Sequence, residues 1–143
     1  MPVHQSGDLQ LAYPSDWTDR SITAFAAPPG SWRVLPNFVV TRDSGGGARS
    51  AADYADRTLV ELARRLQDFQ LLRRSAVTLQ QHAGIDMMFT WHSAEGLLQQ
   101  RQVILLLPDD KVFSIVASAL QSDFAAVEET FTKMFASLRF PAG

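Results

Sequence analysis

The chain has no cysteine. Disulfides, thiolate nucleophiles and thiolate metal sites are excluded together, which suits a reducing compartment. It has no surplus of positive charge either: 13 Lys and Arg stand against 15 Asp and Glu, for a formal net charge of -2. No general field draws it to nucleic acid or anionic lipid. Long apolar runs are missing. The longest, Val103 to Leu107, falls far short of the ~20 residues that span a bilayer. The opening Met1-Pro2-Val3-His4-Gln5 has neither the basic head nor the apolar stretch of a secretory signal. A cytoplasmic protein is expected, without nucleic acid and without stable membrane association. The arginines Arg64, Arg65, Arg73 and Arg74 could form a local basic strip but read better as solvated charge.

What is present suits one folded unit. The 143 residues are 46% hydrophobic and 20% charged, enough to bury a core as a single domain over 1–143. Alternation predicts a short strand from Leu9 to Tyr13, stopped by Pro14. Trp17 in the following turn reads as a core anchor. Strands follow from Ser21 to Ala27 and from Asn37 to Arg42. The period then changes. Ser50-Ala51-Ala52-Asp53 has the form of a capping box, and Ala51, Tyr54, Ala55, Leu59, Leu62, Leu66 and Phe69 recur at helical spacing. A helix is predicted from Ser50 to Asp68. Four strands come next, Leu71 to Leu79, Ile85 to His92, Leu98 to Leu107 and Val112 to Ala119, with short turns that favour antiparallel hairpins. Phe124, Val127, Phe131, Met134, Phe135 and Leu138 define a last helix from Asp123 to about Leu138, capped by Ser122 or Asp123, with Pro141 ending the structure. The order predicts an α+β fold: one antiparallel sheet flanked by two main helices, both packed largely on one side.

Catalytic and metal-binding patterns are absent. His4, His82 and His92 are dispersed, with no acid at metal-ligand spacing. No Gly-x-Ser-x-Gly elbow exists, and Asp109-Asp110 after Pro108 reads as a turn. The run Ser44-Gly45-Gly46-Gly47-Ala48-Arg49-Ser50 opens a helix but lacks the Gly-Lys-Ser/Thr ending of a phosphate loop, so it reads as a flexible loop. No catalytic residue, metal site or cofactor is assigned, and no enzyme activity is expected.

The remaining signal lies in the strands. Ile22, Ala24 and Ala26 share one face, and Thr23 and Phe25 the other. Asn37, Val39 and Thr41 likewise oppose Phe38 and Val40. The face with Phe25, Phe38 and Val40 is bulky enough to be core, so Phe25 is expected under the helices. The opposite face is small, mildly apolar and nearly uncharged. Such a face suits a partner segment laid across the sheet. Gln100 and Gln102 offer neutral amides to a partner without the desolvation cost of charge.

Several runs together resemble the DcrB-like domain family: Trp17 to Ile22, Pro36 to Asp43, Tyr54 with Leu62, Phe89-Thr90-Trp91, Leu98 to Gln102, and the closing Phe135 to Phe140. The resemblance spans nearly the whole chain and rests on the order of these runs. It implies a fold similar to the PsbP and Mog proteins. Stand-alone cytoplasmic members resemble Eag proteins, dimeric chaperones that hold apolar N-terminal transmembrane segments of PAAR-domain effectors of type VI secretion. The resemblance thus implies a homodimer, an effector partner with apolar N-terminal segments, and no cofactor. By position, the groove would draw on Ile22, Ala24, Val39 and Thr41, with Leu62 and Leu66 at its edge, at the dimer contact or in the plain core, and Gln100 and Gln102 as polar contacts. The lipoprotein signal of membrane-associated members has no counterpart here. Two alternatives stay open: a Mog-like adaptor for a folded protein, and a small-ligand carrier or enzyme with an unannounced pocket.

Overall fold

The computed structural model describes residues 1–140. The expectation placed on Pro141 lies outside the described residues. Eight strands and two helices run β1 (Val3–Ser6), β2 (Leu9–Ala12), β3 (Ile22–Ala26), β4 (Asn37–Ser44), α1 (Ala51–Arg65), β5 (Gln70–Leu79), β6 (His82–Ser93), β7 (Gly96–Leu107), β8 (Lys111–Leu120) and α2 (Gln121–Ser137). The fold is α+β and antiparallel throughout, but it has two sheets where one was expected. Six strands pair in the order β3-β4-β8-β7-β6-β5, while β1 and β2 form a separate hairpin. Strand β1 escaped the sequence reading because Val3-His4-Gln5-Ser6 carries no apolar alternation. The turn between β1 and β2 is made by Gly7, whose φ of +56° is in the left-handed region that glycine occupies freely.

The two helices lie on opposite faces of the main sheet, which corrects the expectation that they share one. On one face, Phe124, Val127, Phe131 and Phe135 of α2 pack with Phe38, Met88, Val103, Leu105, Ile115 and Ala117. On the other, Ala51 and Ala55 of α1 pack with Ile85, Met87, Ile104 and Val112. These sheet residues are consecutive in sequence (Val103 with Ile104, Met87 with Met88), and side chains alternate along a strand. Central strands apolar on both faces therefore require cover on both sides, and that signal was present in Val103-Ile104-Leu105.

Local chemistry sets the helix ends. Ser50 caps α1 by accepting from the Asp53 backbone N–H at 3.0 Å, and the Asp53 carboxylate accepts from the Arg49 backbone N–H at 3.1 Å. The predicted box is thus formed, with its return bond one residue earlier than usual. The helix ends at Arg65, with Leu66 as its cap, short of the predicted Asp68. Helix α2 has no side-chain cap, and neither Ser122 nor Asp123 serves as one. It starts at Gln121 because β8 runs directly into it through Leu120, which is 4% exposed and paired with Leu98. Tertiary anchoring replaces the cap there.

Two aromatic assignments are corrected. Trp17 is 69% exposed and Phe25 is 60% exposed. Trp17 sits in the segment linking the small hairpin to β3, away from both cores. Phe25 does point to the α2 face, but α2 packs on β7 and β8 and leaves the edge strand β3 uncovered.

Candidate functional site

The face covered by α1 is covered only in part. Helix α1 packs on β6 and β7. The same face of β3 and β4, and of β8 beyond Val112, carries no helix. The register places the side chains there in rows. Ala24 is opposite Val39, Val39 opposite Val116, and Val116 opposite Gln102. Ile22 is opposite Thr41, which is opposite Ser114. A third row joins Ala26, Asn37, Ser118 and Gln100. The structure thus gathers six of the eight predicted residues, Ile22, Ala24, Val39, Thr41, Gln100 and Gln102, on one surface. Ile22 is 64% exposed; Val39, Thr41 and Val116 are half-buried.

Leu62 and Leu66 are not part of that surface. Leu62 is buried in the packing of α1, and Leu66 is half-buried at its end. Nearby, Phe69 stacks on Phe89 of β6 at 5.2 Å and the His92 N–H bonds to the Gln67 carbonyl. This end of α1 therefore lies over β6, with β7, β8 and β4 between it and β3.

The floor is polar yet uncharged, and its amides are already oriented. Trp91 Nε1 donates to Gln100 Oε1 at 2.8 Å, and Gln100 Nε2 donates to Ser118 Oγ at 3.1 Å. Gln102 Nε2 donates to Ser114 Oγ at 2.8 Å, and Thr41 Oγ1 donates to the Ser114 carbonyl at 3.4 Å. Gln102 is only 8% exposed. The glutamines were expected to reach for a partner; instead they are fixed within the sheet. Ser114, Val116, Ser118 and Trp91 were missed. The alternation of Val112, Ser114, Val116 and Ser118 against Phe113, Ile115, Ala117 and Ala119 was a usable signal. The register that sets those serines beside the glutamines was not. At the margin, burial and the nearby Asp43 carboxylate push the Tyr54 phenol above its ordinary pKa, so it stays neutral.

Other polar clusters are internally satisfied. Asp110 blocks the glycine-rich loop as an anion cradle. Its carboxylate accepts from Ser44 Oγ at 3.1 Å and from the Gly47 N–H at 3.5 Å, and its carbonyl accepts from the Gly45 N–H at 2.7 Å. A Cβ at Gly45 would collide with that carboxylate, so the segment is a fitted clamp and not the flexible loop expected. His4 Nδ1 lies 2.9 Å from Asp19 Oδ2, and His4 Nε2 lies 3.4 Å from Ser21 Oγ. The Ser21 hydroxyl donates to Asp19 itself, so its proton is directed at the carboxylate and not at the imidazole as in a nucleophilic triad. The cluster clasps the β1–β2 hairpin to the start of β3. Of the four arginines, Arg74 pairs with Asp56 at 2.6 Å, Arg64 with Glu61 at 3.4 Å and Arg73 with Asp86 at 4.0 Å. No group of three or more His, Asp or Glu able to hold a metal occurs among the described residues, and no described helix is long and apolar enough to cross a membrane.

Comparison with known proteins agrees with this architecture. The sequence model of the DcrB family matches residues 8–137. A curated relative, Effector EagT6 of Pseudomonas aeruginosa, is 29% identical over 105 residues, covering 73% of each chain. The crystal structure of PA94, a Pseudomonas aeruginosa protein of unknown function, superposes with a TM-score of 0.86 at 25% identity, over 100% of this chain and 99% of its own. CyanoP, the PsbP of Synechocystis sp. PCC 6803, shares the fold, with a TM-score of 0.56 at 11% identity over 92% of this chain and 86% of its own.

Proposed function

The chain belongs to the DcrB family, and from that premise we propose that it is a chaperone for a type VI secretion effector, holding apolar N-terminal transmembrane segments of a PAAR-domain effector on the open sheet face. The observation that carries the reading is the uncharged patch formed by Ile22 to Ala26 of β3, Asn37 to Thr41 of β4 and Ser114 to Ser118 of β8 on the α1 side, extended by the glutamines of β7, left without a helix and ended by Asp43, which pairs with Arg20 at 3.9 Å. The likeness to Effector EagT6 supports the same direction.

The dimensions suit such a segment. Strands spaced ~4.8 Å apart make the four-strand surface roughly 14 Å wide between its outer strand axes, against about 10–12 Å for an α-helix with its side chains. On this face the uncharged stretch of β4 runs from Asn37 to Thr41, about 17 Å, which beds a little over half of the ~30 Å of a bilayer-spanning helix. One copy thus offers a bed one helix wide. Covering apolar surface is worth roughly 25 cal/mol per Å², so a membrane segment exposed in water gains on docking. The fixed amides and serines present polar groups without charge, which avoids burying an ion against an apolar segment.

Co-expression with a fusion carrying the apolar N-terminal segment of a PAAR-domain effector tests the proposal. Wild-type protein should co-purify with the fusion and keep it soluble. Val39→Asp should keep the circular dichroism spectrum and lose capture, because the acid would face the segment and taking a carboxylate out of water costs several kcal/mol even after relaxation. Retained capture by Val39→Asp, or failure of the wild type to capture, rejects the reading. A folded, water-soluble partner taken up in place of the apolar segment would favour the adaptor reading.

A further inference from the structure

The opposite face carries a second concavity with a different origin. Helix α2 lies over β7 and β8 and does not reach β3. Phe38 on β4 is buried against α2, its ring 5.0 Å from Phe135 in an edge-on contact. Its cross-strand neighbour Phe25 stays 60% exposed. The segment after β3 turns back around this edge through Pro28, Trp32 and Pro36 and is pinned by an Ala27 N–H to Pro36 carbonyl bond at 2.9 Å. Floor, helix and returning loop enclose a hollow of about 400 Å³, within the ~300–1,000 Å³ range of small-molecule sites.

The chemistry of the wall narrows the ligand. Phe25, Trp32, Phe38, Phe131 and Met134 supply rings and a thioether. None of the 13 lining residues is charged, and the polar ones, Asn37 and Thr130, are neutral. An ionised ligand would be desolvated there without a partner. The walls come from three separate elements and two prolines, so the hollow is preformed. It is bounded on three sides, a shape that takes a compact molecule and not an extended helix or strand.

We infer that this hollow between α2 and the β3–β4 edge binds a small, neutral, apolar molecule, aromatic or aliphatic. The hollow shares only Ala26 and Asn37 with the open face, at the end of β3 and the start of β4; its other lining residues lie beyond the open rows, and its test does not depend on effector capture.

The probe is N-phenyl-1-naphthylamine, whose fluorescence rises in apolar surroundings. It should bind the wild-type protein saturably, one per chain. Decanol should displace it, and ionised decanoate should do so at least about tenfold less well. Thr130→Trp, at an exposed position of α2, should fill the hollow, and Phe25→Ser should remove one wall. Each should weaken the probe by about tenfold or more, with an unchanged circular dichroism spectrum. Thr41→Asp on the other face locates the probe. The proposal is overturned if binding is not saturable, if decanoate competes as well as decanol, if the probe binds both hollow variants unchanged, or if Thr41→Asp abolishes binding, which would place the probe on the open face.

Discussion

Asp86 is 2% exposed beneath α2, and its charge is matched by Arg101, which reaches it through Nε at 3.1 Å and Nη2 at 2.8 Å. The Arg101 guanidinium also lies 4.5 Å from the centre of the Phe135 ring. A pair of this kind is held by completeness: removing one partner leaves the charge of the other, Arg101 at 19% or Asp86 at 3% side-chain exposure, without its match. Asp86→Ala should therefore lower stability by about 3–5 kcal/mol, read by urea denaturation. The double change Asp86→Ala with Arg101→Met should lose less than the single one; an equal or larger loss would show that packing, and not an orphaned charge, governs the site. At the hairpin clasp, hydrogen bonds from the Ser21 hydroxyl and backbone N–H, with a smaller contribution from His4, hold the Asp19 carboxyl down at about 2. An unfolded aspartate titrates near ~3.9. The folded value is the lower one, so the clasp's contribution is complete above the unfolded value and fades as pH falls toward 2. Trp17 borders the same cluster, so its fluorescence should report the loosening. Ser21→Ala removes the strongest of these bonds and should move the transition to higher pH; an unmoved transition would mean that another group controls it.

Turns and caps carry the signal at the scale of elements. Leu79 pairs with His82, so Gln80 and Gln81 form a two-residue hairpin loop, with φ of +51° and +68°. Both residues occupy the left-handed region, where a side chain with Cβ is strained by roughly 1–2 kcal/mol. Asn-Gly suits that turn. The double change Gln80→Asn and Gln81→Gly should raise stability by about 1–2 kcal/mol in chemical denaturation, with an unchanged m-value. No gain would show that the strain is relieved elsewhere. Asp109 and Asp110 adopt the same region, at φ of +66° and +56°. There the strain is tied to a contact, since Asp110 holds the glycine-rich segment that leads into α1.

The main sheet has one helix on each side, neither wide enough to cover its six strands. Both shortfalls fall toward β3. On the α1 side they leave the uncharged open face; on the α2 side they leave the hollow beside Phe25. A single copy offers a bed about one helix wide, so holding a pair of membrane segments calls for two copies. Homodimerisation is proposed on that ground and on family grounds. Multi-angle light scattering at micromolar concentration should give twice the 15.8 kDa of the chain. A single-chain mass across the range would restrict the chaperone to one segment per copy.

Period and capping chemistry alone determined much of this protein. The i, i+3, i+4 stripe of α2, the Ser50 cap and the shared face of Ile22 with Ala24 and of Val39 with Thr41 are local facts, and each is found where the sequence places it. Local patterns also sorted the strand residues into faces, because alternation needs no partner. Tertiary structure decided which face each helix covers. The sequence reading put both helices on one side and buried Phe25, because bulk marks a face as apolar but does not say how far a helix will extend over it. It decided the polar floor as well: Gln100 beside Ser118 and Gln102 beside Ser114 are products of register. Leu62 has the same helical spacing as a surface contact would, and only packing showed it to be core. Helical and strand periods are set by backbone geometry within a few residues, whereas coverage and register depend on distant strands meeting, and no local pattern encodes that.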